Sequence, residues 1–241
     1  MAYRHGKNTG VLVGKYNLTA YFNEISSSMS IEASETTTFN SSAKTYITSL
    51  NDGTISASGL FDGDATAVNA AIEEIISTDY QPAITLAYDG GFTAGASCGM
   101  GLGEITSYEI TAPVADVVAT SVEFQVSGGL RQGVILAPNT GYTTTTNGTS
   151  VDNTASTAAG YTGFIHVTDN SRSATVVAKI QHSADNSTWA DLATFTTIGI
   201  GAETYERVSG SGTVNRYVRS VVTPAAGTGT ITLSISLARR S

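Results

Sequence analysis

The sequence predicts a mostly β protein, with an N-terminal β-sandwich or barrel flanked by one α-helix and a C-terminal all-β sandwich or jelly roll. Three observations predict this fold class. Apolar and polar residues alternate with a period of two over many short segments, one stretch has helical spacing, and turn-rich pieces separate the segments. The chain has 241 residues, of which 41% are hydrophobic, and this is sufficient for one large β domain or two small ones.

Alternation is clearest in the first half of the chain. Over 25–31, Ile25, Met29 and Ile31 share one face and serines fill the other, which is typical of a half-buried strand. The same pattern predicts three further strands, which run through Tyr16, Leu18, Ala20 and Phe22, through Ile84, Leu86 and Tyr88, and through Val118, Val122, Phe124 and Val126. We expect each of these strands to be buried on one face and exposed to solvent on the other.

One amphipathic helix is predicted at about 65–77. Val68, Ile72, Ile75 and Ile76 recur at i, i+4, i+7 and i+8, so they lie on one stripe of a helix. We expect all four side chains to pack against the sheet. Pro82 then ends the helical region and precedes the next strand.

The segment 137–160 separates two halves of different charge. It consists mainly of Thr, Asn, Ser, Gly and Ala without periodicity, which favours a linker. Residues 1–135 carry 14 acidic and five basic side chains (net −9), whereas residues 136–241 carry six acidic and seven basic ones (net +1). We therefore predict a first domain at 1–136, a linker at 137–160 and a second domain at 161–241.

The second half again reads as short strands separated by turn-rich pieces. The predicted strands are 164–167, 175–181, 189–195, 205–208, 216–222 and 230–237. Turn signals such as the Ser-Gly-Ser-Gly run at 209–212 lie between them. An all-β sandwich or jelly roll is the fold that this spacing indicates.

No catalytic or metal-binding constellation is recognisable in the sequence. His5, His166 and His182 are far apart; a metal pair is conceivable for the last two, but histidines on strands more often serve packing. Cys98 is the single cysteine, so no disulfide forms within the chain, and a small buried filler is expected there. We expect a non-enzymatic protein without cofactor or metal.

The composition also argues against membranes and against specific nucleic-acid binding. No segment approaches the ~20 apolar residues that a spanning helix needs, and we expect a soluble protein made in a cytoplasm. An acidic domain lacks the Lys and Arg that displace counterions from a phosphate backbone.

The segment YFNEISSSMSIEASETTTFNSSAKTYITSLNDGTISASGLFDGD, at 21–64, resembles the opening of the major tail protein of long-tailed bacteriophages. In that family a first strand leads into a long loop, an Asp-Gly-Thr strand start and then a single helix. Here these features correspond to 32–50, 52–54 and 65–77. The piece 82–134, with GEITSYEI and a later strand ending in Gly128-Gly129, also fits. The resemblance covers roughly residues 10–135.

The resemblance implies a structural subunit of the virion tail, made in the host cytoplasm. Six copies would form a ring, rings would stack into the tail tube, and DNA would pass down the lumen as non-specific cargo. The implied contacts with the next ring involve the long loop, represented by Glu32, Glu35, Phe39, Lys44 and Tyr46. The strand faces proposed to line the lumen carry Ser26, Ser28, Ser30, Ser121, Glu123 and Gln125. Further implied partners are tail completion, baseplate and tape-measure proteins.

The second half has a separate likeness. VVAKIQHSADNSTWADLATF followed by VNRYVRSVV is similar to discoidin-like or carbohydrate-binding-like jelly rolls. Such a domain would decorate the outside of the tube, so its removal should leave ring formation intact. The simpler interpretation is that Trp189 and Tyr217 are core aromatics and that the arginines pair on the surface. The alternative function is a capsid decoration or adhesion module whose second domain binds a host-surface glycan.

Overall fold

The computed structural model describes residues 6–64, 67–78, 81–88 and 90–240. After a short 3-10 helix at Gly6–Asn8, these residues form 15 strands and one α-helix. In chain order they are β1 (Gly10–Val13), β2 (Tyr16–Asn17), β3 (Phe22–Glu35), β4 (Tyr46–Leu60), α1 (Val68–Thr78), β5 (Ala83–Ala87), β6 (Ser97–Thr111), β7 (Ala119–Tyr142), β8 (Thr146–Asn147), β9 (Val151–Asp152), β10 (Tyr161–Asn170), β11 (Val176–Ser183), β12 (Ala190–Thr194), β13 (Thr204–Gly210), β14 (Tyr217–Pro224) and β15 (Ile231–Arg239). The predicted mostly β class with a single helix is confirmed.

The chain divides into two compact units. Unit 1 comprises Met1–Ala20, Pro82–Met100 and Arg131–Ser241, and unit 2 comprises Tyr21–Gln81 and Gly101–Leu130. This division differs from the predicted boundary at 136, because the first 20 residues and β5 cluster with the C-terminal half. Among the described residues, no helix is long and apolar enough to cross a bilayer.

Unit 1 is a β-sandwich. One of its sheets contains the strand order β13-β10-β15-β7, and the other has the order β12-β11-β14-β8, with β9 also paired to β14. Their inner faces meet in one apolar cluster that includes Leu136, Ile165, Ile180, Val218 and Ile235. The predicted C-terminal sandwich is confirmed, and strands were correctly expected near all six of β10 to β15.

The segment 137–160, predicted to be a linker, contains the end of β7 and the short strands β8 and β9. β7 runs to Tyr142, and its last residues pair with β15, where Ile231 lies opposite Tyr142 and Ile235 opposite Ala137. Ala137 is fully buried and Tyr142 nearly so. A Thr- and Asn-rich segment can pair in this way because β pairing needs only its backbone groups and a few buried side chains.

Unit 2 is a four-stranded antiparallel sheet with α1 against one face. The strand order within it is β3-β4-β7-β6. Its core is formed by buried side chains of α1, namely Val68, Ala71, Ile72 and Ile75, and of the sheet, namely Ile55, Ala57, Val122, Phe124 and Val126. The helix begins at Val68 rather than 65, and residues 65 and 66 lie outside the described residues. Ile76, expected in the core, is 49% exposed, because it lies at the margin of the stripe.

The predicted loop at 32–50 is about half strand, with nine of its 19 residues in β3 or β4. β3 continues to Glu35 and β4 already begins at Tyr46, with Glu35 opposite Tyr46, so only 36–45 remains a loop. A bulge between Ile31 and Ala33 interrupts the register. We call residues 29–50 the hairpin arm.

Two further expectations need correction. The strand predicted through Tyr16 and Phe22 is divided, because Asn17 Oδ1 accepts a hydrogen bond from the backbone N–H of Thr19 at 3.2 Å and so favours a turn after β2. On β3, Met29 and Ile31 share a face as expected, but they are 56% and 51% exposed rather than buried.

Candidate functional site

The six serine, glutamate and glutamine residues predicted to line a channel all lie on one face of unit 2. Ser26 lies opposite Ser56 on β4, and Ser56 lies opposite Glu123 on β7. Side chains directly opposite each other in an antiparallel sheet point to the same side. The same relation continues along the strands and defines the polar face: Glu24, Ser26, Ser28, Ser30, Asp52, Thr54, Ser56, Ser58, Ser121, Glu123 and Gln125.

Short side chains on the polar face bond to one another across strands. Ser28 Oγ lies 2.6 Å from Thr54 Oγ1. The Gln125 amide donates to Asp52 Oδ1 and, at 3.2 Å, to the carbonyl oxygen of Gly53. These hydrogen bonds occupy hydroxyl and amide groups that could otherwise donate to a ligand.

The polar face is acidic. A depression of about 330 Å³ is lined by Glu24, Glu109 and Glu123 together with serines of β3, β4, β6 and β7, and no Lys or Arg borders it. Among the described residues, none of these three carboxylates takes part in an ion pair. Unit 2 as a whole carries 13 acidic residues and one basic residue, Lys44, giving a net charge of −12, whereas unit 1 carries seven acidic and 11 basic residues, giving +4.

The hairpin arm carries the residues that the resemblance implied for contacts between rings. Lys44 Nζ lies 3.0 Å from Glu35 Oε2, and this contact lowers the pKa of Glu35. Glu32 is exposed, Tyr46 is 56% exposed, and Phe39 in the loop is fully exposed. Unit 2 thus presents all five side chains to solvent.

Large apolar side chains are exposed along the same arm. Besides Phe39 and Tyr46, they are Met29, Ile31, Ile47 and Leu50, with exposures from 51% to 73%. Six exposed large apolar side chains within one hairpin are typical of a contact with another protein.

The outer strands of the unit 2 sheet offer a second kind of contact. β3 pairs only with β4, so a 14-residue strand has one unpaired row of backbone groups. At the other side of unit 2 lies β6. Neither β3 nor the unit 2 part of β6 contains Pro or Lys, which proteins use to protect a free edge.

Sequence reasoning missed the residues that β4 contributes to the polar face and that β6 contributes to the depression on it. Thr54, Ser56 and Ser58 alternate with the buried Ile55 and Ala57. That alternation was visible in the sequence, but the segment was interpreted only as the start of a strand. Glu24 continues the alternation of Ser26, Ser28 and Ser30 and was also overlooked. Glu109 had no such signal, because only the fold brings β6 beside the other strands.

The histidines and the cysteine of unit 1 are packing residues. His166 is buried, its Nδ1 donates to the carbonyl oxygen of Gly14 at 2.8 Å, and its Nε2 accepts from Thr85 Oγ1 at 2.8 Å. His182 is half-buried and accepts at Nδ1 from the backbone N–H of Asn215 at 3.2 Å. Burial raises the pKa of the Cys98 thiol to about 12. His5 lies outside the described residues, and within them no three His, Cys, Asp or Glu side chains form a metal-binding group.

Trp189 and Tyr217 are half-buried rather than core residues. The Arg219 guanidinium lies 4.2 Å from the Trp189 ring centroid and donates twice to Gln181 Oε1, at 3.0 and 2.8 Å. Arg216 stacks on Tyr217 at 4.9 Å. An arginine thus covers one side of each ring.

The resemblance to tail proteins is matched among solved structures, at low similarity. No protein-family model matches the sequence, and none of the curated proteins does. The chain is similar to a chain of the virion of a native gene transfer agent particle (16% identity, TM-score 0.43, 53% of this chain and 97% of that one). It is also similar to the SPP1 tail tube (13% identity, TM-score 0.43, 53% and 77%). A third similar structure is the SPP1 Dit protein, of the hub adsorption apparatus (13% identity, TM-score 0.36, 95% and 98%).

Proposed function

We propose that this chain is a structural subunit of a phage tail, and that copies of it assemble into stacked rings that form the tail tube. The observation that carries the proposal is the polar face of unit 2. It is acidic and free of Lys and Arg along its depression, and it lies on the sheet opposite the helix-covered apolar core.

An acidic, hydroxyl-rich wall suits a channel for DNA. Carboxylates repel phosphate groups, so DNA gains no binding energy at the wall and slides past it. The serines on the polar face are too short to reach into the channel. DNA is then a passing cargo rather than a ligand, as the resemblance implied.

Ring formation follows from the two unlike outer strands of unit 2. If β3 of one copy pairs with β6 of the next, the contact is head-to-tail and can close into a ring. Closure would continue the sheet around the ring and leave no free edge in unit 2. The resemblance to tail tube proteins implies six copies in the ring.

The hairpin arm is proposed to contact the neighbouring ring. Its exposed apolar residues, with Phe39 at the loop and Ile47 on β4, would be buried there. Glu32, Glu35, Lys44 and Tyr46 would form the rim of that contact. Tail completion, baseplate and tape-measure proteins are the further partners proposed, and the virion tail is the proposed location.

The C-terminal strands are proposed to decorate the outside of the tube. The structure groups 161–241 with β1, β2 and β5 in unit 1. We therefore propose that the decorating part includes these N-terminal strands and is not an independent domain.

One observation favours a second candidate function, a capsid decoration or adhesion module that binds glycans. Trp189, Gln181 and Arg219 form a half-exposed group of planar side chains, and Asp191 accepts from Gln181 and from Lys179 at 2.8 and 2.6 Å. Planar polar groups beside an aromatic ring suit the stacking of a sugar. Loss of glycan binding on Trp189→Ala would support this candidate.

Negative-stain electron microscopy of the purified chain at rising concentration tests the leading proposal. Rings or hollow tubes are expected. Monomers at every concentration, together with glycan binding that depends on Trp189, would replace it with the second candidate.

A further inference from the structure

Three arginines of unit 1 lie close together without an acidic partner. Burial, and then the nearby charges of Arg240 and Arg207, lower the pKa of Arg131 below its usual value. Among the described residues, none of the three forms an ion pair. By contrast, Arg216 is held by Asp152 at 2.6 Å.

The strand register places two of these arginines on the same side of the sheet. Phe164 on β10 lies opposite Arg207 on β13 and opposite Ser236 on β15, so these three side chains share a face. Arg240 follows Ser236 by four residues along the same strand direction, and its backbone N–H donates to the Gly160 carbonyl oxygen at 2.9 Å. Alternation therefore returns Arg240 to the face of Ser236.

Two buried polar groups in this region lack a hydrogen-bond partner. Thr162 is 1% exposed and lies opposite Ala238 on that face, yet its hydroxyl has no partner. The Nε–H of Arg240 also has no acceptor. A buried donor without an acceptor costs free energy, so an acceptor group brought to this region would be bound favourably.

The ligand that fits is an anion with several oxygen acceptors. Three guanidinium groups in one place repel one another, and a carboxylate or phosphate group relieves that repulsion and accepts their N–H bonds. The same chain carries a surplus of carboxylates in unit 2, which has 13 acidic residues against one basic residue.

We propose that the cluster of Arg131, Arg207 and Arg240 binds carboxylates on unit 2 of a neighbouring copy during assembly. This inference rests on the proposed self-assembly. The positive cluster of one copy attracts the negative unit 2 of the next, and a head-to-tail contact lets this pairing repeat from copy to copy. The cluster then selects the orientation in which copies add.

Assembly assays on charge variants test the proposal first. Arg131→Ala combined with Arg240→Ala should raise the concentration at which light scattering reports assembly about tenfold or more, and should weaken its salt dependence. The melting temperature of the dilute subunit should stay the same or rise, because like-charge repulsion is relieved. The matched control is Lys179→Ala, which removes a charge already paired with Asp191 and should assemble as the wild type does.

A binding assay separates failure of this inference from failure of the proposed function. Dilute wild-type subunit should bind hexaglutamate in calorimetric titrations, although both carry net negative charge, and the double variant should not. If the wild type never assembles, the proposed function fails, and this titration still decides the inference. Variants that assemble and bind hexaglutamate like the wild type overturn it. Binding of inorganic phosphate or duplex DNA but not of hexaglutamate also overturns it, in favour of a phosphate site.

Discussion

The imidazole of His166 donates a hydrogen bond from Nδ1 to the carbonyl oxygen of Gly14 across 2.8 Å. Thr85 completes this buried group from β5, with its Oγ1 at 2.8 Å from Nε2 of the same ring. Residues that are 152 positions apart are thus joined inside unit 1. The first strands of the chain are part of the same unit as the C-terminal sandwich.

The buried imidazole makes unit 1 sensitive to acid. Burial lowers the pKa of His166 to about 4, whereas the unfolded chain has the ordinary value near 6.5. The unfolded state therefore takes up the proton first, and the stability contribution present above the unfolded pKa is lost as pH falls from about 6.5 towards 4. We expect unit 1 to lose about 2 kcal/mol between pH 7 and pH 5.

Urea unfolding followed by the fluorescence of Trp189, the single tryptophan, measures this loss. His166→Gln should be less stable at pH 7 but nearly insensitive to pH over that range. His182→Gln serves as the control, because that ring is only half-buried. An equal fall in wild type and His166→Gln would refute the assignment of the acid sensitivity to His166.

Truncation should destroy unit 1 rather than remove an appendage. Deleting 150–241 takes away β10 and β15, which pack against or pair with β7, and leaves Ile135, Leu136 and Ala137 uncovered. We expect an aggregated or partly unfolded product, contrary to the sequence-based expectation that rings would still form. Size-exclusion chromatography and amide hydrogen exchange report the outcome, and a monodisperse truncated chain that forms rings would contradict it.

The α1 stripe offers a matched pair of variants. Ile72 is fully buried and Ile76 is 49% exposed, so the same substitution probes two environments. Ile72→Ala should lower the free energy of unfolding by about 2 to 5 kcal/mol. Ile76→Ala should change it by less than about 0.5 kcal/mol. Denaturant titrations followed by circular dichroism compare them, and equal losses would mean that the core of unit 2 is placed wrongly.

Reversing a charge on the polar face should make assembled tubes retain DNA. Glu123→Lys introduces a cation beside the serines of β3 and β4, where phosphate can bind it. Glu73→Lys makes the same charge change on the exposed side of α1. Co-sedimentation of tubes with short labelled DNA should increase for the first variant only. An equal increase for both would show that the polar face does not meet the DNA.

The hairpin arm should be needed for stacking but not for folding. Phe39→Ser with Ile47→Ser removes two exposed apolar side chains and should change stability by less than about 0.5 kcal/mol. Electron micrographs should show single rings in place of tubes. Val114→Ser, an equally exposed position outside the arm, should leave tubes intact. Loss of folding in the arm variant would refute the assignment.

Local periodicity predicted most of the individual elements. Val122, Phe124 and Val126 alternate with polar residues, and Val68, Ile72 and Ile75 follow helical spacing; the structure confirms that both sets are buried. Pattern alone does not say what covers a face. Met29 and Ile31 alternate like buried residues and yet are exposed.

Long-range pairing could not be predicted from local pattern. The end of β7 looks like a linker because Thr and Asn dominate after it, and its partner β15 lies about 90 residues further along the chain. The polar face was foreseen only from β3 and β7, because the fold is what brings Ser56 of β4 and Glu109 of β6 beside those strands.

The orientation of unit 2 in an assembled tube is the central claim, and a cryo-electron microscopy map of that tube measures it most directly. We expect Glu24, Glu109 and Glu123 on the inner wall, with the hydrophobic core and α1 behind them. A tube whose inner wall is formed by α1 or by unit 1, with these three glutamates on its outer surface, would contradict it.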